Sequence, residues 1–226
     1  MAKRKREKAL VICNSELPRK GQLLALARHA DTVVCADGGA NAARKFGIVP
    51  DLIVGDLDSI DKEAKRYFRK VKVILNSSDK QTDLEKALDI LLTNGAKEVT
   101  VVGATGRRPD HTVTNFSILK KYHRRCSLRY IDRHCEISLI GRRVRFTGKE
   151  GALISLAPLG KVVGITTRGL KYRLRNETLE VGVREGQSNV IISNPVEIAV
   201  GRGTLLLFKI HSSQLARSRS GEQSRR

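Results

Sequence analysis

Short apolar runs separated by stretches of helical periodicity are the feature that most limits the folds open to this chain. Six such runs recur up to about residue 132: ALVICN (9–14), TVVCAD (32–37), DLIVGD (51–56), KVILN (72–76), EVTVVGA (98–104) and LRYID (128–132). Each is too short for a helix and rich in Val, Ile or Leu, the pattern of a strand buried on both faces. Amphipathic stretches lie between them. TDLEKALDILLTNGA sets Leu84, Leu88 and Leu91 on one face, with Asp83 at its start and Gly95 at its end. DHTVTNFSILKKYHRR begins at Asp110 and carries Val113, Phe116 and Leu119 as a stripe. The alternation implies an α/β fold, with residues 9–132 forming a mainly parallel, Rossmann-like domain covered on both faces.

From residue 133 the pattern changes. EISLI, RRVRF, ALISLAPL, KVVGITTRG, KYRL, NVIIS, EIAV and GTLLLFKI follow one another, separated by Gly, Asn and Pro turns and without helical period. They predict a small antiparallel β-sandwich or barrel over residues 133–211. Residues 1–8 read as a basic tail, and residues 212–226 as an Arg- and Ser-rich disordered tail. No apolar run approaches the roughly 20 residues that span a bilayer. ALVIC is too short for a signal-peptide core, and Cys13, Cys35, Cys126 and Cys135 are scattered without zinc-ligand spacing. The expected location is the cytoplasm, with the thiols reduced.

The net charge of +20 divides into +4 on residues 1–8, +3 on residues 212–226 and about +13 on the body. A basic body attracts polyanions, whether nucleic acid or nucleotide phosphates. Phe, Tyr and Trp make up only 4% of the chain, little for the base stacking that single-strand binders use. Charge alone leaves both partners open.

Ligands of open α/β sheets bind beyond the carboxyl ends of the strands. ADGGAN (36–41), GDLDS (55–59), SSDKQTD (77–83) and GATGRRPDH (103–111) all fall there. In GDLDS, Asp56 and Asp58 suit Mg²⁺ coordination by hard carboxylate oxygens. A turn with Ser59 capping the next helix, or a phosphatase nucleophile, would use the same residues; the latter wants its Asp pair near the first strand. DGGAN offers Asp37 and two glycines, the first Gly38, that let the backbone approach a ligand. In GATGRRPDH, Gly103 and Gly106 free the backbone, Arg107 and Arg108 can fork onto phosphate oxygens, and Asp110 opens a helix. That loop lacks the Gly-Lys-Ser/Thr ending of a Walker A motif, and His111 reads as a helix-terminal hydrogen-bonding residue. Asp83 could be simply a helix-start acid. Together Asp37, Asp56, Asp58, Asp83 and Asp110 form one acidic rim facing Arg108, a set suited to metal-assisted phosphoryl transfer.

ADGGANAARKFGIVPDLIVGDLDSI, QTDLEKALDIL, GATGRRPDHTVTN and ISLAPLG…GITTRGLKYRL…GQSNVIIS, in that order over roughly residues 9–210, resemble the thiamine pyrophosphokinase family. The resemblance implies Mg²⁺-dependent transfer of a pyrophosphoryl group from ATP to the hydroxyl of thiamine, giving thiamine diphosphate and AMP. It also implies a homodimer with active sites between subunits, and a β-domain that helps to hold thiamine. Carried over by motif, Asp56 and Asp58 are metal-binding and catalytic, and Asp83 and Asp110 catalytic. Asp37, Gly38, Gly103, Gly106 and Arg108 contact the nucleotide. Asp83, Ser188 and Asn189 contact thiamine. Two positions depart from the family pattern. Lys80 stands where bacterial members often have Asp, and Arg107 stands where the glycine loop commonly has its second glycine. Lys80, Asp79 and Arg107 are therefore left outside the assigned set. Transfer to a pterin-like acceptor and nucleic-acid binding through the basic tails are the competing readings.

Overall fold

The computed structural model describes residues 7–76 and 80–211, so the extreme tails and Asp79 lie outside the described residues. The chain divides into two compact units, residues 1–133 and 134–226. The first alternates strands and helices in chain order: Lys8–Ile12 (β1), Lys20–His29 (α1), Thr32–Ala36 (β2), Gly39–Lys45 (α2), Leu52–Gly55 (β3) and Lys62–Tyr67 (α3). Lys72–Leu75 (β4), Asp83–Thr93 (α4), Glu98–Val102 (β5), Pro109–Tyr122 (α5) and Ser127–Ile131 (β6) complete it. Its strands are all parallel, in the order β6-β5-β1-β2-β3-β4.

Side chains alternate across each strand, which sorts them between two layers. Leu10, Ile12, Val33, Cys35 and Ile53 pack with Leu23 of α1, Ala40 and Ala43 of α2 and Ala64 of α3. The intervening Val11, Val34 and Val54 point the other way, and α4, with Leu84, Leu88 and Leu91 buried, packs against β1, β2 and β3. The order reverses at β1, which pairs with β2 on one side and β5 on the other. Register sets Ile12 beside both Cys35 and Val102, and Ala36 beside Val54. The strands thus finish level, and the segments starting at Cys13, Asp37, Asp56 and Gly103 emerge side by side at the switch point.

Several expected details are corrected. β4 is not a buried strand: it is the sheet edge, with Val73 and Leu75 exposed. Ser59 does not cap α3; Asp61 does, accepting from Ala64 N at 2.6 Å. α5 starts at Pro109, and its buried residues are Ile118, Leu119 and Tyr122, while Val113 is exposed. α4 is capped by Thr82, which exchanges hydrogen bonds with Glu85 in a capping box, leaving Asp83 in the first turn.

The second unit contains Cys135–Ile140 (β7), Arg143–Phe146 (β8), Leu153–Pro158 (β9), Lys161–Arg168 (β10), Arg175–Glu180 (β11), Gly186–Val190 (β12), Val196–Ala199 (β13) and Leu205–Ile210 (β14). It is an antiparallel sandwich of β12-β9-β14-β7 on β11-β10-β13-β8. Ile140, Ile154, Leu156, Leu205 and Leu207 of one sheet meet Val162, Ile165, Leu179, Val196 and Ile198 of the other. KYRL is not a strand. Its Tyr172 N–H and C=O are both taken by the Asn189 side chain, at 3.0 and 2.7 Å, so they are withdrawn from any ladder. NVIIS likewise contributes only its first two residues to β12; Ile191 forms a single bridge to Leu170.

Candidate active site

A cleft of about 660 Å³ opens at the switch point of the first unit. Asp37, Asp56, Asp58, Asp83, Gly103, Gly106, Arg107, Arg108 and Asp110 all line it. Carboxylate oxygens of Asp37, Asp56 and Asp58 lie within 4.8 Å of one another. Asp37 is buried and its Oδ1 has no hydrogen-bond partner among the described residues. An orphaned carboxylate oxygen beside two like charges is costly unless a cation completes it. The GDLDS turn aims the other two: Asp56 Oδ1 accepts from Asp58 N at 3.2 Å, and Asp58 Oδ1 accepts from the Ser59 hydroxyl at 2.8 Å. Asn41 of α2 fixes that turn from outside, donating to Ser59 O and accepting from Asp61 N.

Backbone strain gathers here. Asp37, Leu57 and Arg107 have φ of 41°, 66° and 39°, left-handed values that a Cβ disfavours, and such conformations cluster at functional sites. Gly55 has φ 146°, and a Cβ there would stand 2.9 Å from Asp37 Cβ and 3.2 Å from Asp83 Oδ1. Only glycine lets the three segments close up. Gly103 (φ 71°) similarly passes against Cys13 O, drawing the β5 loop onto the β1 loop.

The two remaining carboxylates are held differently. Asp83 Oδ1 accepts at 3.0 Å from the ammonium of Lys86, which is 5% exposed and also donates to Asn76 O at 2.7 Å. Burial raises the Asp83 pKa; the Lys86 ammonium opposes the rise, and the charges of Asp37 and Asp56 add to it. Asp110 stands apart from the carboxylate cluster. Arg108 forks onto it from Nε and Nη2, at 3.1 and 2.5 Å, holding its carboxyl below the usual range. Gly38 caps α2. In the second unit, Ser188 (φ 55°) is exposed and its N–H donates to Ser155 Oγ. Asn189 is buried, and its amide holds the backbone of Tyr172, a residue 59% exposed.

The sequence of the first unit matches the family described as "Thiamin pyrophosphokinase, catalytic domain" over residues 23–130. That of the second matches "Thiamin pyrophosphokinase, vitamin B1 binding domain" over residues 136–205. Thiamine pyrophosphokinase 1 of Oryza sativa subsp. japonica is 30% identical, across 84% of this chain and 82% of the relative. The chain belongs to the thiamine pyrophosphokinase family. The thiamine pyrophosphokinase of Bacillus subtilis is 28% identical across 76% of this chain and 84% of that protein. The fold agrees as well. The solved thiamine pyrophosphokinase of Bacillus subtilis superposes with a TM-score of 0.80 at 23% identity, covering 91% of this chain and all of that one. The thiamin pyrophosphokinase of Candida albicans gives 0.81 at 22%, covering 91% and 90%. Neither a pterin acceptor nor nucleic acid gains support from these relatives.

Within this thiamine pyrophosphokinase frame, the residues missed in the sequence are the supports. Lys86 is three residues after Asp83, a spacing that brings two side chains together on a helix. A lysine amid the buried positions of α4 was the available signal. Ser15, whose hydroxyl is buried, in the cleft and unpartnered among the described residues, had no signal at all.

Proposed function

We propose that the chain transfers a pyrophosphoryl group from ATP to thiamine with the help of Mg²⁺, giving thiamine diphosphate and AMP. The observation that carries this reading is the trio Asp37, Asp56 and Asp58 at the switch-point cleft of a thiamine pyrophosphokinase family member. The donor set fits Mg²⁺: hard carboxylate oxygens close together, one of them buried and unpartnered. Asp37 therefore joins Asp56 and Asp58 as a metal-holding residue. Mg²⁺ bound there would neutralise phosphate charge as the β-phosphorus is attacked.

The protein's own groups supply the rest. Asp83, stiffened by Lys86 and with a raised pKa, is suited to accept the proton of the acceptor hydroxyl as its oxygen bonds to the β-phosphorus. The bond from the β-phosphorus to the bridging oxygen breaks, and that oxygen leaves with AMP. Arg108 and Asp110 act as one unit: the carboxylate fixes the guanidinium plane at the rim, where its free N–H groups can meet phosphate oxygens. Gly38, Gly103 and Gly106 keep the backbone low around the nucleotide. In the second unit, Asn189 fixes the backbone of exposed Tyr172, whose ring already draws the Lys171 ammonium to 5.4 Å from its centroid and so suits a cation, and Ser188 offers its hydroxyl.

A homodimer that shares its active sites fits the exposed Tyr172, Val181, Val183 and Ile192 of the second unit. A cytoplasmic setting fits the free cysteines. Incubation of the purified protein with ATP, Mg²⁺ and thiamine tests the reading. AMP and thiamine diphosphate should form in equal amounts; ADP, or no product, would refute it.

A further inference from the structure

Pairing off the charges that line the cleft leaves two kinds of group over. Lys86 takes Asp83 and Arg108 takes Asp110. Asp37, Asp56 and Asp58 remain as a place for a cation. On the positive side, Arg107 has no hydrogen bond or ion pair among the described residues. An unpaired surface arginine is ordinary on a chain of net charge +20. Two observations set this one apart: it lines the cleft, and its backbone has φ 39°. A glycine would adopt that conformation freely, whereas an arginine pays for its Cβ there. A free arginine held in strained backbone at a binding cleft is the pattern of a ligand contact.

We propose that Arg107 is a phosphate-gripping residue, whose guanidinium forks onto the polyphosphate of the donor nucleotide. The cleft then carries unpaired charge of both signs, three carboxylates for a divalent cation and one guanidinium for the anion that cation accompanies. That matches a metal–polyphosphate rather than a free cation or a free anion. A guanidinium suits the role because it stays charged at any working pH and presents parallel N–H groups to two oxygens at once. Arg108 already spends that geometry on Asp110, so the adjacent arginine adds a second, independent grip. The choice of ligand rests on the pyrophosphokinase reading.

Calorimetric titration of MgATP without thiamine tests the proposal on the wild type, Arg107→Gly and Arg107→Lys. Arg107→Gly should weaken binding about tenfold by loss of a charge-assisted contact. Its melting temperature should hold or rise, since glycine is unstrained at φ 39°. Arg107→Lys should lose about threefold, keeping the charge without the fork. An Arg107→Gly affinity within about twofold of wild type overturns the proposal, and so does a KM for thiamine that rises in step with that for MgATP. Wild-type protein that binds MgATP but forms no AMP with thiamine sinks the pyrophosphokinase reading instead, and leaves the comparison of the three affinities standing.

Discussion

Asp37 and Asn189 are both polar side chains in near-complete burial, 8% and 5% exposed, yet their surroundings are opposite. Asp37 keeps an oxygen without a partner among the described residues, beside two more carboxylates. The Asn189 amide is engaged on both sides: its oxygen accepts from Tyr172 N and Val190 N, and its nitrogen donates to Tyr172 O. Burying an unpaired polar group costs free energy that burying a satisfied one does not. On the proposed reading the orphan is where a bound cation completes the site, and the engaged amide is where the protein holds its own loop in shape. Within one family fold, the first unit keeps charge in reserve and the second spends its polarity on positioning.

The strongest way to break that contrast is at the reserve. Asp56→Asn should lower kcat about a thousandfold or more, since a metal-holding carboxylate stabilises charge throughout the transfer. Its circular dichroism and melting temperature should stay close to wild type, because Asp56 is exposed and among the described residues makes only the local bond to Asp58 N. A variant retaining more than about a tenth of the activity would remove Asp56 from the metal site.

Asn189→Ala tests the other side, and its effect should fall on stability. It strands the Tyr172 N–H and C=O, and the expected loss is about 2–3 kcal/mol by denaturant titration. With Tyr172 released, KM for thiamine should rise while affinity for MgATP stays unchanged. Equal weakening of both ligands would mean that Asn189 does more than hold its own loop.

These two polar groups also show how unevenly the molecule is legible in its sequence. The six parallel strands can be read because each is a short run of branched apolar residues flanked by turn or helix signals. What fails is context. KVIL reads as buried although β4 is an edge, since nothing in four residues tells how many neighbours a strand has. KYRL reads as a strand because the pattern cannot show that Asn189, 17 residues on, will take the Tyr172 backbone. The acids of the candidate site are legible in the sequence, and their supports are not. Asp37, Asp56 and Asp58 announce themselves as acids at strand ends and Asp83 as an acid at a helix start, whereas Lys86 and Asn41 matter through hydrogen bonds that only the fold creates.

A milder probe adds the metal itself. Saturating Mg²⁺ at about a hundred times its Kd should stabilise the protein by about 2.7 kcal/mol through preferential binding to the folded state. EDTA should reverse the rise in melting temperature. In Asp37→Asn the metal effect should shrink or vanish, while the metal-free protein gains about 1 kcal/mol or less from relief of like-charge repulsion. A metal-dependent shift of wild-type size in Asp37→Asn would return Asp37 to a nucleotide contact alone.

The smallest expected effect separates two neighbours. Ser188 and Asn189 adjoin in the chain, yet among the described residues only Asn189 has its side chain committed; Ser188 bonds through its backbone N–H, to Ser155 Oγ. Ser188→Ala keeps the Cβ, so whatever the left-handed φ of 55° costs is unchanged, and stability should stay within about 0.5 kcal/mol. If the hydroxyl faces thiamine, KM for thiamine rises about three- to tenfold, the loss of one hydrogen bond. Ser188→Gly, which relieves φ but also removes the hydroxyl, should raise KM equally. Alanine and glycine agreeing would assign the effect to the hydroxyl. A loss in Gly alone would assign it to the backbone, making Ser188, like Asn189, a residue that shapes the site without touching the ligand.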